Sequence, residues 1–165
     1  MTLLCPIHQQ PARFRATSEH IYQGHDYGPI WECPALACDA ICGCHPDGSP
    51  LGTLANRALR QLRRQAHAKF DALWRPWEAQ KAAYPESTAV HGKLRYLMRT
   101  RTYEWLAHHM GRARAETHIA MMDTTEVLQV LAILDEHQPT PITIRTWCKQ
   151  RISNAPIDQT HQRQQ

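Results

Sequence analysis

The chain has 165 residues, a length that suits one domain or a small metal-binding module joined to one compact helical unit. Its formal net charge is +4, and its basic residues are mainly arginines, many of them between Arg57 and Arg114. The amino terminus has no signal-peptide pattern, and the longest apolar run, residues 127–134, is too short to cross a bilayer. These features exclude a secreted or membrane-spanning class and predict a soluble, cytoplasmic protein.

Two pairs of metal ligands stand near the amino end of the chain. Cys5 and His8 have the spacing C-x2-H, and Cys33 and Cys38 have the spacing C-x4-C. In a reducing compartment such pairs indicate a metal more often than a disulfide, and three thiolates with one imidazole suit tetrahedral zinc. Four protein ligands leave no open position for water, which predicts a structural ion. Three further residues compete for the site or could serve a second one: Cys42, Cys44 and His45.

Residues 1–50 have the pattern of a three-stranded zinc ribbon. Short polar and aromatic stretches at residues 11–23 and 25–33 predict a hairpin, and residues 40–45 predict a third strand. Large aliphatic residues are few here, so the metal must supply folding free energy, on the order of 10 kcal/mol. Without the ion we expect this module to be largely disordered.

A long helix is predicted over residues 53–74, with Thr53 as its N-cap and Pro76 beyond its end. Apolar residues recur at spacings of three and four and share one face: Ala55, Leu59, Leu62, Ala66, Phe70 and Leu73. A second face is basic, with Arg57, Arg60, Arg64 and His67. One side of the helix should therefore pack and the other should face a partner or solvent.

The long helix belongs to a helical unit that is predicted over residues 51–136. A linker at residues 77–87, which carries Trp77, precedes a short helix ending at Met98, and a second helix opens at Thr100 or Thr102 and ends before Gly111. Residues 118–122 form a strand or an extended lead-in. A capping box of Asp123 and Glu126 then starts another helix.

Residues 137–165 are interpreted as a C-terminal extension. A last short helix is predicted over residues 142–153, with Trp147 as its anchor. The last ten residues have almost nothing to bury, which predicts disorder. The fold class that follows is α+β, with an amino-terminal three-stranded zinc ribbon, a long helix and a small helical unit.

Several runs carry a resemblance: residues 30–34 (IWECP), 38–40 (CDA), 43–45 (GCH) and 50–56 (PLGTLAN), continued by Trp74, Tyr103 and residues 117–119 (THI). Together they resemble a prophage-associated, zinc-finger-containing family of unknown function, over most of the chain to about Leu134. The resemblance implies a phage or prophage origin, hence the cytoplasm of a bacterial host, and no established activity. His8 departs from the family's commoner cysteine. The ligand spacing is also similar to the zinc ribbons of type I topoisomerases, which bind single-stranded DNA.

Nucleic-acid recognition is the leading functional hypothesis. Arg57, Arg60, Arg64 and His67, joined by ribbon residues Arg13 and Arg15, could follow a phosphate backbone with strongly salt-dependent affinity. Bases could stack on exposed aromatic rings: Tyr22, Tyr27 and Trp31. The opposing interpretation is that the arginines only solvate the helix and Trp31 packs on the zinc ribbon.

Two other classes stay open. A protein-interaction module could inhibit or recruit a host protein, such as a host-defence complex, through a patch near Asp135 and Glu136 or near Trp77. An enzyme is disfavoured, because no P-loop, GxSxG, HExxH or paired acidic nuclease motif occurs. His118 beside Asp123 could be a base with its orienting carboxylate in a nuclease-like site. No small-molecule substrate is evident, and no membrane partner is expected.

Overall fold

The computed structural model describes residues 3–75 and 88–153. Its strands are β1 (Arg13–Arg15), β2 (Ile30–Glu32) and β3 (Ile41–Gly43). Its α-helices are α1 (Arg57–Asp71), α2 (Thr88–Met110), α3 (Thr124–His137) and α4 (Pro141–Ser153). The predicted α+β fold, with a three-stranded zinc ribbon at the amino end and helices after it, is confirmed.

The ribbon is an antiparallel sheet in the order β1-β2-β3, with Phe14 opposite Trp31 and Trp31 opposite Cys42. Each strand has three residues, so β1 and β2 are much shorter than the segments predicted for them. Between them, Asp26 Oδ1 accepts hydrogen bonds from the backbone N–H and hydroxyl of the buried Ser18. These side-chain bonds offer the backbone an alternative to strand pairing, which ends the hairpin early.

Helix α1 begins three residues later than predicted, counted from the predicted N-cap to the observed one. Asn56 is its N-cap, and the Asn56 side chain accepts from the backbone N–H of Leu59 at 2.9 Å. The prediction of Thr53 as the N-cap was wrong. Thr53 lies before the helix, and its hydroxyl oxygen accepts a hydrogen bond from Arg63 Nη2 at 2.7 Å. The helix ends at Asp71 rather than Trp74.

Arg63 is a buried arginine that the sequence pattern did not single out. It lies among the inward residues of α1 with 9% of its surface exposed. Its Nε and Nη2 donate to the carbonyl oxygen of Met122, and its Nη1 donates to the carbonyl oxygen of Thr53. One guanidinium therefore joins the chain leaving the ribbon to the segment before α3.

Residues 88–110 form one continuous helix, so the prediction of two separate helices was wrong. Thr102, expected near a helix start, is internal, and its hydroxyl donates to the carbonyl oxygen of Met98 at 2.8 Å. That bond satisfies the side chain inside the helix. Gly111 follows the helix with φ +65°, the left-handed conformation predicted for it.

The capping box before α3 is confirmed: Asp123 Oδ1 accepts from the N–H of Glu126, and Glu126 Oε2 accepts from the N–H of Asp123. The preceding lead-in is a 3-10 turn over Ile119–Met121 rather than a strand. Its backbone bonds return to His118 and Ile119, so they are satisfied locally.

Two apolar cores support the fold. The larger is shared by all four helices and contains Phe70, Tyr103 and Ile144, with the Phe70 and Tyr103 ring centroids 4.4 Å apart. The smaller lies in the ribbon around Cys5 and Leu54. Helix α4 packs on α2 and belongs to the larger core. In the described residues, no helix combines the length and apolarity that crossing a membrane requires.

Some predicted features lie outside the described residues. They are the linker at 77–87 with Trp77 and the C-terminal tail at 156–165.

Replacing Arg63 should test the junction between the ribbon and the helices. Arg63→Met removes the donors to two backbone carbonyls that are held away from water, and we expect a loss of about 3 kcal/mol in unfolding free energy. Arg64→Met is the matched control, since Arg64 is exposed, and should change stability by less than about 0.5 kcal/mol. Denaturant unfolding measures both, and equal midpoints would contradict the role assigned to Arg63.

Candidate metal centre and basic groove

The first ligand pair is presented by a tight turn after residue 4. The N–H of Cys5 donates to the carbonyl oxygen of Gln10, and the N–H of Gln9 donates to the carbonyl oxygen of Cys5, both at 2.9 Å. Gln9 takes a positive φ of 54° to close the turn. The Cys5 Sγ and His8 Nδ1 atoms are thereby brought within 3.8 Å of each other.

The second pair follows strand β2 in a similar turn. The N–H of Cys33 donates to the carbonyl oxygen of Ala40 at 3.0 Å, and the N–H of Cys38 donates to that of Ala35 at 3.1 Å. Ala37 adopts a positive φ of 62° just before Cys38. Two backbone turns, each with one left-handed residue, therefore face one another across the end of the sheet.

The four ligand atoms of Cys5, His8, Cys33 and Cys38 all lie within 4.8 Å of one another. Cys5 Sγ is 3.9 Å from Cys38 Sγ, and Cys33 Sγ is 3.6 Å from His8 Nδ1. In a tetrahedron with bonds of about 2.3 Å, neighbouring ligand atoms are about 3.8 Å apart. The donor set and its spacing therefore fit a four-coordinate zinc ion.

The protonation of the two buried thiols differs. Burial raises the pKa of Cys5, but hydrogen bonds from the backbone N–H groups of His8 and Ile7 outweigh it and bring the pKa to about 7. Burial, with Cys5 Sγ close by, raises the pKa of Cys33 to about 11. A bound cation compensates for such burial, because coordination deprotonates a thiol outright.

The alternative ligands Cys42, Cys44 and His45 stand outside this four-atom group. Cys42 is buried in the ribbon core, and its Sγ donates to the carbonyl oxygen of Gly43 at 3.3 Å. The N–H of His45 donates to the carbonyl oxygen of Ser49 in the turn that follows. Within residues 3–75 and 88–153, only the first four ligands meet in a group able to hold an ion.

A second feature is a groove of about 940 Å³ between the ribbon and α1, named here the ribbon–helix groove. It is bordered by the loop 20–27, the second ligand turn and the first turns of α1. Its lining includes five of the residues singled out for nucleic-acid contact: Tyr22, Tyr27, Arg57, Arg60 and Arg64. The metal ligand Cys38 is also part of the wall, so the groove borders the zinc site.

The three arginines of the groove are held differently. Arg60 is fixed, because its Nη1 donates to the carbonyl oxygens of Asp39 at 2.6 Å and Ala55 at 2.7 Å. Arg57 donates its backbone N–H to Asp39 Oδ2 at 2.6 Å, and the residue is exposed. Arg64 is exposed as well. Asp39, which sequence reasoning missed, directly follows Cys38. It thus anchors the start of α1 to the second ligand turn.

The ribbon arginines lie elsewhere and are already paired. Arg13 and Arg15 contact Glu32 Oε1 at 2.5 and 2.8 Å, and His20 Nε2 contacts Glu32 Oε2 at 2.6 Å. Burial raises the pKa of Glu32, but the hydrogen bonds from Arg15, His20 and Arg13 outweigh it and bring the pKa to about 2. The Glu32 carboxylate therefore remains charged and holds both arginines on the sheet.

Trp31 and His67 are also placed away from the groove. The Trp31 indole N–H donates to the carbonyl oxygen of Gly48 at 3.0 Å, and the ring meets Phe14 edge-on at 5.5 Å. Trp31 packs on the ribbon core, as the opposing interpretation expected. His67 is half-buried, with Nδ1 3.9 Å from Asp71 Oδ1, and burial lowers its pKa.

A family model described as a zinc-finger-containing domain matches residues 1–137. The match spans the ribbon and the helices through α3, which ends at His137, and stops before α4. No curated protein and no solved structure matches the chain. The family description agrees with the four-ligand geometry, and the site is accordingly a structural zinc site.

Removing one ligand should separate the zinc from the helices. We expect Cys38→Ala to lose the single zinc per chain after dialysis against a weak chelator, because three ligands hold the ion far less tightly than four. Elemental analysis measures the zinc. The helical circular dichroism should largely persist, since the helices share a separate core.

The matched control is Cys44→Ala, a half-buried ribbon cysteine outside the ligand group. It should keep one zinc per chain. If Cys44→Ala loses the metal and Cys38→Ala keeps it, the ligand assignment is wrong.

Proposed function

We propose that this chain, which belongs to the family of zinc-finger-containing domains, is a non-enzymatic nucleic-acid-binding protein. One observation carries the proposal: Arg57, Arg60 and Arg64 share the ribbon–helix groove with Tyr22 and Tyr27. Guanidinium groups bind phosphates, and bases stack on exposed aromatic rings such as phenols. The zinc supports this groove by fixing the turn that ends at Cys38.

The charge in the groove supports phosphate contact. Its three arginines face one carboxylate, that of Asp39, and this carboxylate already accepts the backbone N–H of Arg57. Each phosphate neutralised there releases counterions, which makes binding favourable at low salt and weak at high salt. Arg60 serves as a fixed wall, while Arg57 and Arg64 make the principal contacts.

The tyrosines favour a single strand. Tyr27 is 74% exposed, and its ring meets Tyr22 edge-on at 4.9 Å, so a flat aromatic face is open beside the arginines. Unpaired bases stack on such faces at about 1–3 kcal/mol per base. The ligand spacing shared with topoisomerase ribbons, which bind single-stranded DNA, supports the same preference.

Two observations support a non-enzymatic role: the zinc ligand set is closed, and the candidate base His118 is not paired with Asp123. The Asp123 carboxylate caps α3 rather than orienting His118, and His118 stacks on Tyr103 at 5.8 Å between ring centroids. Incubation with a labelled single strand and magnesium tests this directly. If cleavage of the strand persists in zinc-free buffers and in a freshly purified preparation of the protein, a nuclease is favoured instead.

We also propose that the protein works in the cytoplasm of a bacterial host as a phage or prophage product. The support is the sequence resemblance to a prophage-associated family. The reducing setting agrees with six cysteines that are free in the structure.

A protein-interaction role is the second candidate, and the tips of the ligand turns favour it. Leu36 is 98% exposed and Ile7 is 55% exposed, so each turn presents an apolar side chain to a partner. Such a module could inhibit or recruit a host-defence protein. At the patch considered near Asp135, the carboxylate is paired with Lys69, and Trp77 lies outside the described residues.

Neutralising the two exposed groove arginines tests the nucleic-acid proposal. We expect Arg57→Gln/Arg64→Gln to weaken binding of a 5′-hydroxyl single-stranded oligonucleotide by about tenfold or more, because each removes a phosphate contact. The slope of log affinity against log salt should fall by about 1 for each lost contact. Fluorescence anisotropy over a salt series measures both quantities.

Lys93→Gln/Arg145→Gln is the matched control, since it removes the same charge from two exposed residues that do not line this groove. Its affinity and salt slope should stay near those of the unchanged protein. Equal losses in the two double variants would leave only non-specific attraction to a basic protein. Leu36→Ser with unchanged oligonucleotide binding and a lost protein partner would favour the second candidate.

A further inference from the structure

A second basic groove lies on the helical unit and is independent of the ribbon. It has a volume of about 610 Å³ and is formed by α2, residues 111–114 and α4. Four arginines line it, from three separate stretches of the chain: Arg101, Arg112, Arg114 and Arg151. Its size falls within the usual range of small-molecule sites. We name it the α2–α4 groove.

The charge of this groove is only partly compensated. Arg112 forms an ion pair with Glu126 and therefore acts as part of the wall. Arg114 lies over the Tyr103 ring, with 4.6 Å from its Cζ to the ring centroid, an interaction that leaves its charge in place. Among the residues that the structure describes, neither Arg101 nor Arg151 forms an ion pair. Among the described residues that line the groove, Glu104 alone is acidic, so the groove attracts anions.

An aromatic surface adjoins these guanidiniums. Trp147 lines the groove, and Arg151 Cζ lies 5.1 Å from its ring centroid. The ring of His108 is 5.2 Å from the same indole on the α2 side. Ala107 and Cys148 add apolar lining. A phosphate-binding group and a planar ring surface therefore stand next to each other.

We propose that the α2–α4 groove binds a nucleotide-type phosphomonoester. Arg101, Arg114 and Arg151 hold the phosphate, for which forked guanidiniums are suited, and the ligand's planar base lies against Trp147. The ligand is either a free nucleotide or the 5′-phosphorylated end of a strand, which share this chemistry. Trp147 and Arg151 belong to α4, beyond residues 1–137, so the site is an addition to the zinc-finger-containing domain.

Calorimetry with adenosine 5′-monophosphate, adenosine and inorganic phosphate tests the site at low ionic strength. The monophosphate should bind at least about tenfold more tightly than adenosine, since charge-assisted hydrogen bonds to the phosphate are stronger than neutral ones. Arg151→Gln should lower that affinity about tenfold, and Arg101→Gln/Arg151→Gln should lower it further. Trp147→Leu should weaken the monophosphate but not inorganic phosphate.

Arg145→Gln is the matched control, because Arg145 lies on the same helix outside the groove lining. The affinity of this variant for the monophosphate should equal that of the unchanged protein. Arg151 is exposed, so Arg151→Gln keeps the test valid even if Trp147→Leu fails to fold. The proposal is overturned if the monophosphate binds no better than adenosine, or if Arg101→Gln/Arg151→Gln binds it as tightly as the unchanged protein.

The source of the phosphate is separated in the Arg57→Gln/Arg64→Gln background, where the ribbon–helix groove no longer contributes. Preferential binding of a 5′-phosphorylated over a 5′-hydroxyl oligonucleotide there, competed by the monophosphate, identifies a strand end. Binding of the monophosphate alone identifies a free nucleotide. Either result supports the α2–α4 groove whether or not the ribbon–helix groove binds nucleic acid.

Discussion

Coordination by Cys5, His8, Cys33 and Cys38 is the interaction on which the ribbon depends. The ribbon strands have three residues each, too short to form a stable sheet alone. Among the described residues, the ribbon core has five buried members, and two of them are metal ligands: Cys5, Cys33, Ala40, Cys42 and Leu54. Hydrophobic burial of that size cannot hold two left-handed turns in place, so the ion sets the geometry of the module.

The ion also helps to position helix α1, through two neighbouring residues. Cys38 binds the metal, and Asp39 follows it and accepts bonds from the backbone of Arg57 and the side chain of Arg60. One side of the ribbon–helix groove is therefore fixed by coordination and the other by the helix. Without zinc, the arginines would remain on α1 while the second ligand turn, which carries Asp39, lost its fixed position. Metal occupancy and the shape of the ribbon–helix groove are thus linked, although the metal does not itself bind anything in the groove.

The sequence predicted the features set by local chemistry. Ligand spacing identified the zinc site because two short turns can present only nearby cysteines and histidines, and the Asp123 capping box was readable because both its partners lie within one turn. Arg63 was missed for the opposite reason. It stands beside Arg64 in an arginine-rich helix, and only the distant carbonyls of Thr53 and Met122 decide which of the two is buried.

Tertiary neighbours also decide which charges of a periodic face are available. The spacing placed Arg57, Arg60, Arg64 and His67 together, yet Arg60 is hydrogen-bonded to the ribbon and His67 lies beside Asp71. Of these four described residues, Arg57 and Arg64 are the exposed ones. The α2–α4 groove obeys the same rule. Arg101 and Arg151 belong to helices whose individual patterns show no shared face, and the packing of Ile144 and Cys148 in the core brings them to one cavity. Helix α4 thereby contributes to both the core and the groove, because the packing of Ile144 and Cys148 places Arg151 in the same cavity as Arg101 of α2.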